Sequence, residues 1–131
     1  MSIICYLQYT MCEVFKMNIK RLISSYDEIN DTFVGKIDGK NRYCADYGIC
    51  DGIFLAVDYD NIPYSVFVEN ASDVLKVSKE MLENPNIKII IDCDGVFLSF
   101  NMFIEGLKIC SVKSINECEI PKINFLMDSN Y

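Results

Sequence analysis

The apolar positions divide the chain into two helical stretches and a series of strands. From Asn18 to Ile29, the residues Ile19, Leu22, Ile23, Tyr26 and Ile29 recur at helical spacing, with Lys20, Arg21, Asp27 and Glu28 on the other sides. That stripe predicts an amphipathic helix ended by Asn30-Asp31. Short runs rich in β-branched and aromatic residues follow. Thr32 to Ile37 reads as a strand, Asp38-Gly39 as a tight turn and Asn41 to Cys44 as the returning strand. Ile53 to Val57 and Tyr64 to Val68 flank Asp60-Asn61, with Pro63 at a strand start, and predict a hairpin. A second helix is capped by Asn70 or Ser72, carries Asp73 in its first turn and stops at Asn84-Pro85-Asn86; Val74, Leu75, Ser78, Met81 and Leu82 mark its buried side. Ile87 to Ile91 turns at Asp94-Gly95 into Val96 to Phe100, and Phe103 to Val112 supplies one more strand. Between Ser114 and Tyr131 no element stands out, although Ile115, Ile120, Ile123, Phe125 and Leu126 mark part of it as packed.

The expected fold is therefore α+β: a mainly antiparallel sheet of about six or seven short strands with two helices packed on one face. The second helix offers the one place for a right-handed crossover. With 131 residues, a hydrophobic fraction of 51% and no repeat or Pro/Gly-rich linker, residues 17–131 read as a single compact α+β domain. Residues 1–16 read as an N-terminal extension ahead of Met17. They are apolar but interrupted by Gln8, Thr10 and Glu13, lack leading Lys or Arg before the apolar run, and fall short of the ~20 residues of a membrane span.

Charge and missing residue types narrow the chemistry. Twelve basic residues against nineteen acidic ones give a net charge of −7, which argues against direct binding of a phosphate backbone. The chain has no histidine, which removes Ser-His-Asp and Cys-His nucleophiles and every His-containing zinc site. Its seven cysteines (Cys5, Cys12, Cys44, Cys50, Cys93, Cys110, Cys118) are odd in number and contain no CxxC pair. They read as reduced thiols in a cytoplasmic protein rather than a disulfide framework or a zinc ribbon.

The sharpest local motif is Ile89-Ile90-Ile91-Asp92-Cys93-Asp94-Gly95-Val96. An apolar strand running into Asp-x-Asp-Gly-Val resembles the first motif of the haloacid-dehalogenase phosphotransferases. The resemblance implies Asp92 as nucleophile and Asp94 as general acid, together holding Mg²⁺. It covers these residues alone: too little chain follows Gly95 to carry the family's later motifs over a long α/β core. The same residues also spell a hairpin, because Asp-Gly suits a tight turn between two apolar strands.

A different feature points to binding. Between Asp27 and Asp60 eight acidic residues stand against three basic ones, and Tyr43, Tyr47, Tyr59 and Tyr64 lie among the acidic turns. Tyrosine joins apolar area to a polar tip at low entropic cost, and carboxylates around it speed encounter with a basic surface. Asp46, Tyr47, Asp51, Asp58, Tyr59 and Asp60 are the candidate binding residues. The expectation is a non-enzymatic acidic module that docks on and inhibits a basic protein partner, such as a nuclease or another nucleic-acid-binding protein. It needs no cofactor, metal or catalytic residue, and contacts neither nucleic acid nor membrane. A phage- or mobile-element-encoded antagonist of a bacterial defence machine, or a toxin-immunity protein, fits that description. The alternatives are a small Mg-dependent hydrolase or phosphotransferase using Asp92 and Asp94, and an accessory subunit acting as a homodimer.

Overall fold

Alternation between two faces, rather than helical periodicity, governs most of the chain. The computed structural model describes residues 18–131, so the extension expected at residues 1–16 lies outside the described residues. Nine strands form one sheet: β1 (Asn18–Asp27), β2 (Thr32–Ile37), β3 (Tyr43–Cys50), β4 (Ile53–Asp58), β5 (Pro63–Val68), β6 (Ile87–Cys93), β7 (Phe97–Ile104), β8 (Leu107–Ile115) and β9 (Ile123–Asp128). Two short helices, α1 (Ala71–Leu75) and α2 (Lys79–Leu82), join β5 to β6. The strand order is β3-β4-β5-β2-β1-β9-β6-β7-β8. Every neighbouring pair is antiparallel except β1 and β9, which run parallel.

This corrects the α+β expectation: the described chain is a mixed, curled, nine-stranded sheet with two helices of five and four residues. The segment expected as the first helix is β1. Its register with β2 pairs Leu22 with Ile37, Ser24 with Gly35 and Tyr26 with Phe33. Leu22 is the one buried apolar residue of β1, while Ile23 is 41% and Ile29 93% exposed. Outward Ile23 between inward Leu22 and Tyr26, with Ile19 before them and exposed Ile29 after them, imitates a helical stripe. Inward Ser24 lies opposite Gly35, where a Cβ would lie 3.1 Å from Leu22 and 3.2 Å from Ile89. Asp27 then closes a turn, its carboxylate accepting from the backbone N–H groups of Ile29 and Asn30.

The second predicted helix breaks into two. Lys76 ends α1 in the left-handed region at φ 55°, and its N–H returns to the Ser72 carbonyl; Ser78 then caps α2 by accepting from Met81 N–H at 3.3 Å. The break lets the connection cross one end of the curled sheet, where Ala71, Leu75 and Leu82 are buried. No crossover results, since the strands it joins are not parallel neighbours. Asp38-Gly39 makes no hairpin either: β2 pairs with β1 and β5, and β3 pairs with β4. By contrast the β4–β5 and β6–β7 hairpins form where the alternating pattern places them.

The inner face holds the core. Phe33, Val68 and Ile53 lie in register across β2, β5 and β4, and Ile87, Ile89, Ile91 and Cys93 follow one another along β6, all buried. The tail supplies β9, whose Phe125 and Met127 are buried between β1 and β6. Curling brings the two free edges, β3 and β8, within 8 Å of each other at Cα atoms without joining them in a ladder. The helices cover the end of the molecule carrying Gly52, whose Cβ would lie 2.7 Å from Val74. At the opposite end the β8–β9 connection folds inward on buried Ile120, and the Cys93 thiol donates to the Ile120 carbonyl at 3.6 Å.

Candidate functional site

The β3–β4–β5 sheet positions the acidic and aromatic residues. Antiparallel pairing sets Tyr43 opposite Asp58 and Asp46 opposite Ala56, which in turn faces Ser65. Tyr43 Oη donates to Asp46 Oδ2 at 3.1 Å. This hydrogen bond, then burial and the Asp46 charge, pushes the Tyr43 phenol above its ordinary pKa. Burial and the charges of Asp46 and Asp58 likewise raise that of Tyr64. Tyr43 thus stands opposite Asp58 and hydrogen-bonds Asp46, and these three make one patch whose carboxylates act on neighbouring Tyr64.

The β4–β5 turn adds Tyr59 and Asp60. Asp58 Oδ1 accepts from Asp60 N–H at 2.8 Å and from Ile62 N–H at 3.1 Å, so its carboxylate builds the turn as well as carrying charge. Tyr59 is 67% exposed, with the Arg42 guanidinium 5.1 Å above its ring centre. Lys40, Asn41 and Arg42 complete a shallow groove with Asp58, Tyr59 and Asp60. The patch is thus acidic along β3 and β4 and of mixed charge at its tip.

Two of the six residues expected in this face lie elsewhere. Tyr47 pairs with buried Leu55, and its phenol donates to Asn61 Oδ1 at 2.8 Å; Asn61 Nδ2 donates on to the carbonyls of Cys118 (2.8 Å) and Glu119 (2.9 Å). Tyr47 therefore helps tie the β4–β5 turn to the β8–β9 connection. Asp51 sits in the β3–β4 turn, roughly 20 Å from Asp58 along the extended β4. The structure gathers Asp46, Asp58, Tyr59 and Asp60, and adds Tyr43 and Tyr64. The strand pairing that sets Tyr43 opposite Asp58 is the signal that composition alone lacks.

The Asp92–Asp94 motif is a hairpin. Asp92 pairs with Ser99 on one side and Asn124 on the other, whereas Asp94 starts the turn. Asp94 Oδ1 accepts from Val96 N–H at 2.8 Å and Phe97 N–H at 2.7 Å, and these bonds hold its carboxyl below the usual carboxylate range. Among the described residues no three Cys, Asp or Glu side chains gather as a metal ion would need. The described cysteines are all free thiols: Cys44 and Cys50 exposed, Cys110 and Cys118 half-buried, Cys93 buried. No described helix is long and apolar enough to cross a membrane.

Compared with models of known protein families, with curated proteins and with solved structures, the chain finds no match.

Proposed function

We propose that this protein is a docking module, acting without bond-making chemistry, whose patch of Tyr43, Asp46, Asp58, Tyr59, Asp60 and Tyr64 seats on a basic protein surface. The observation that carries this reading is exposed Tyr43, paired across the strands with Asp58 and hydrogen-bonded to Asp46, beside exposed Tyr59 in the adjoining turn. Exposed aromatic area ringed by carboxylates supplies both contact and steering. The partner class that matches is a protein whose own surface is built for phosphates, a nuclease or another nucleic-acid-binding protein, with the carboxylates taking the place of the backbone charges. Such an antagonist or immunity protein works in the cytoplasm, where its thiols stay reduced.

The test is capture from a lysate of the source cell, read by mass spectrometry, with two charge-reversed forms. Asp46→Lys/Asp60→Lys alters the patch and leaves the Asp58 turn intact; Asp51→Lys places the same kind of change at the other end of β4. A basic protein retained by the parent and by Asp51→Lys but lost from the double variant is the expected result. Retention by all three forms, or a retained partner without a basic surface, overturns the proposal.

A further inference from the structure

Three aspartates, each exposed, are followed directly by glycine: Asp38-Gly39, Asp51-Gly52 and Asp94-Gly95. Each pair invites the same backbone reaction. Glycine has no Cβ to shield its amide nitrogen, so that nitrogen can attack the carboxyl carbon of the preceding aspartate and close a succinimide ring. Closure requires the side chain to swing over the next nitrogen and the backbone between them to rotate. Solvent access does not tell the three apart; the hold on each turn does.

Asp94 is fixed at both ends. Its Oδ1 accepts from Val96 N–H and Phe97 N–H, and its own N–H donates to the Phe97 carbonyl at 3.2 Å. These bonds aim the carboxylate along the turn and favour its ionised form, whereas ring closure expels a protonated carboxyl oxygen as water. The Lys122 stem lies over Gly95, and Asn116 Nδ2 donates to the Gly95 carbonyl at 3.3 Å. Asp51-Gly52 is clamped by the Cys50–Ile53 pair that flanks it. The Gly52 carbonyl accepts from Glu69 N–H at 2.9 Å, and Gly52 is pressed against Val74 of α1, so rotation there meets the helix. Asp38-Gly39 has no such frame. Its anchor is the Asp38 N–H, which donates to the Arg21 carbonyl at 2.9 Å, and the next strand begins only at Tyr43. Among the described residues, the side-chain hydrogen bond that spans this loop runs from Asn41 Nδ2 to the Ile37 carbonyl at 3.3 Å and leaves the Asp38 carboxylate unheld. Gly39 lies at φ 129°, and a Cβ there would meet nothing within 4 Å.

We propose that Asp38 is a site of spontaneous covalent modification, converted through a succinimide with Gly39 to isoaspartate, while the fold protects Asp51 and Asp94. The Gly39 nitrogen bonds to Asp38 Cγ, and the carboxyl hydroxyl leaves with the amide proton as water. Water then adds back to the ring. Opening at Cγ restores aspartate; opening at the Asp38 backbone carbonyl frees an α-carboxylate and leaves Gly39 joined through Cγ. One water leaves and one returns, no oxidant or cofactor enters, and the charge is kept. The product has one more carbon in the backbone of the loop that carries Lys40 and Arg42, the basic side of the groove beside Tyr59. Ageing at Asp38 therefore alters that groove and leaves the strand ladders intact. The inference does not depend on what the groove binds.

The experiment holds the full chain for weeks at neutral pH and physiological temperature, with parallel samples in native buffer and in guanidinium chloride. Peptides covering the three pairs are then separated, and isoaspartate is located by electron-transfer fragmentation, which distinguishes it from aspartate of equal mass. In native buffer, isoaspartate at position 38 should exceed that at 51 and at 94 several-fold. In denaturant the three positions should become alike, because the protection of Asp51 and Asp94 is lost with the fold. Asp38→Glu keeps the charge but disfavours ring closure, and should remove most of the isoaspartate that a methyltransferase specific for it labels in the native protein. Isoaspartate absent at 38, as abundant at 51 or 94 in the native chain, or distributed alike with and without denaturant overturns the proposal, as does undiminished labelling of Asp38→Glu.

Discussion

Asp31 joins the β1–β2 turn to α1. Its backbone is left-handed at φ 51°, an arrangement aspartate tolerates better than most residues. Its carboxylate accepts from Tyr26 Oη and Ser72 Oγ, both at 2.6 Å, and from Ser72 N–H, while its carbonyl accepts from Ala71 N–H at 2.8 Å. Asn70, at the N-cap position, makes no side-chain cap, so Asp31 supplies it from 41 residues away in sequence. The hydrogen bonds from Ser72 and then Tyr26 lower the Asp31 pKa. A carboxyl lowered on folding stabilises the native state fully above its unfolded value near ~3.9, and that contribution is lost as pH falls through the lower, folded value. Asp27 and Asp94 shift in the same direction through the turns they close. Asp31→Ala should therefore cost about 1 kcal/mol at neutral pH, the usual scale of a lost cap at a partly solvated site. Asp31→Asn should start below the parent and converge with it in acid. Urea denaturation at neutral pH and midpoints followed from pH 6 to pH 2 check both statements; parallel curves would deny Asp31 its part in acid sensitivity.

Between elements, β9 has the most consequential position. It is the last strand in the chain, yet it lies at the joint between the β3-β4-β5-β2-β1 and β6-β7-β8 portions, parallel to β1 and antiparallel to β6. Phe125, buried on its inner face and in register with Asn18 and Ile91, should cost ~3–5 kcal/mol when cut to alanine. Because the joint serves both portions, signals from each should shift to lower urea together; two separated transitions would show that they hold together without it. The same strand shows what the sequence conveys and what it withholds. Hairpins with dense inward alternation, such as Ile53–Asp58 with Pro63–Val68, are legible because each inward position is apolar. β1 is not, since its inward positions include Ser24 and its apolar Ile19 and Ile23 point outward. β9 carries a readable alternation at Phe125 and Met127, but its pairing with a strand about a hundred residues earlier has no local signal. The second helix was legible as helical material, and the break at Lys76 was not, because the need to cross the sheet's end arises from the curled sheet as a whole. At the candidate site, charge and tyrosine content singled out a stretch of sequence, while facing direction, which sets Tyr47 apart, and strand length, which sets Asp51 apart, belong to the assembled sheet.

At the scale of the whole molecule, a net charge of −7 sets the long-range field, and the tip of the patch modifies it locally. Lys40 and Arg42 stand in the groove with Asp58 and Asp60, so opposite charges offset one another beside Tyr59. On the proposed docking role, a basic partner would be drawn in by the molecule as a whole and oriented by a patch that is not uniform. These two roles separate kinetically, since exposed charges act mainly on association while buried aromatic contacts act mainly on dissociation. Raising ionic strength from about 0.05 M to about 0.5 M shortens the screening length several-fold and should slow association about tenfold or more, with dissociation nearly constant. Arg42→Ala acts on both roles in opposite senses. It removes a positive charge, which strengthens steering, and it removes the guanidinium over the Tyr59 ring, which frees an aromatic contact that the bound state needs held. The expected outcome is faster association together with faster dissociation, measured by stopped-flow or surface-capture kinetics at two salt concentrations. If Arg42→Ala slows association instead, the tip attracts an acidic group on the partner, and the docking surface is read by charge alternation rather than by negative potential alone.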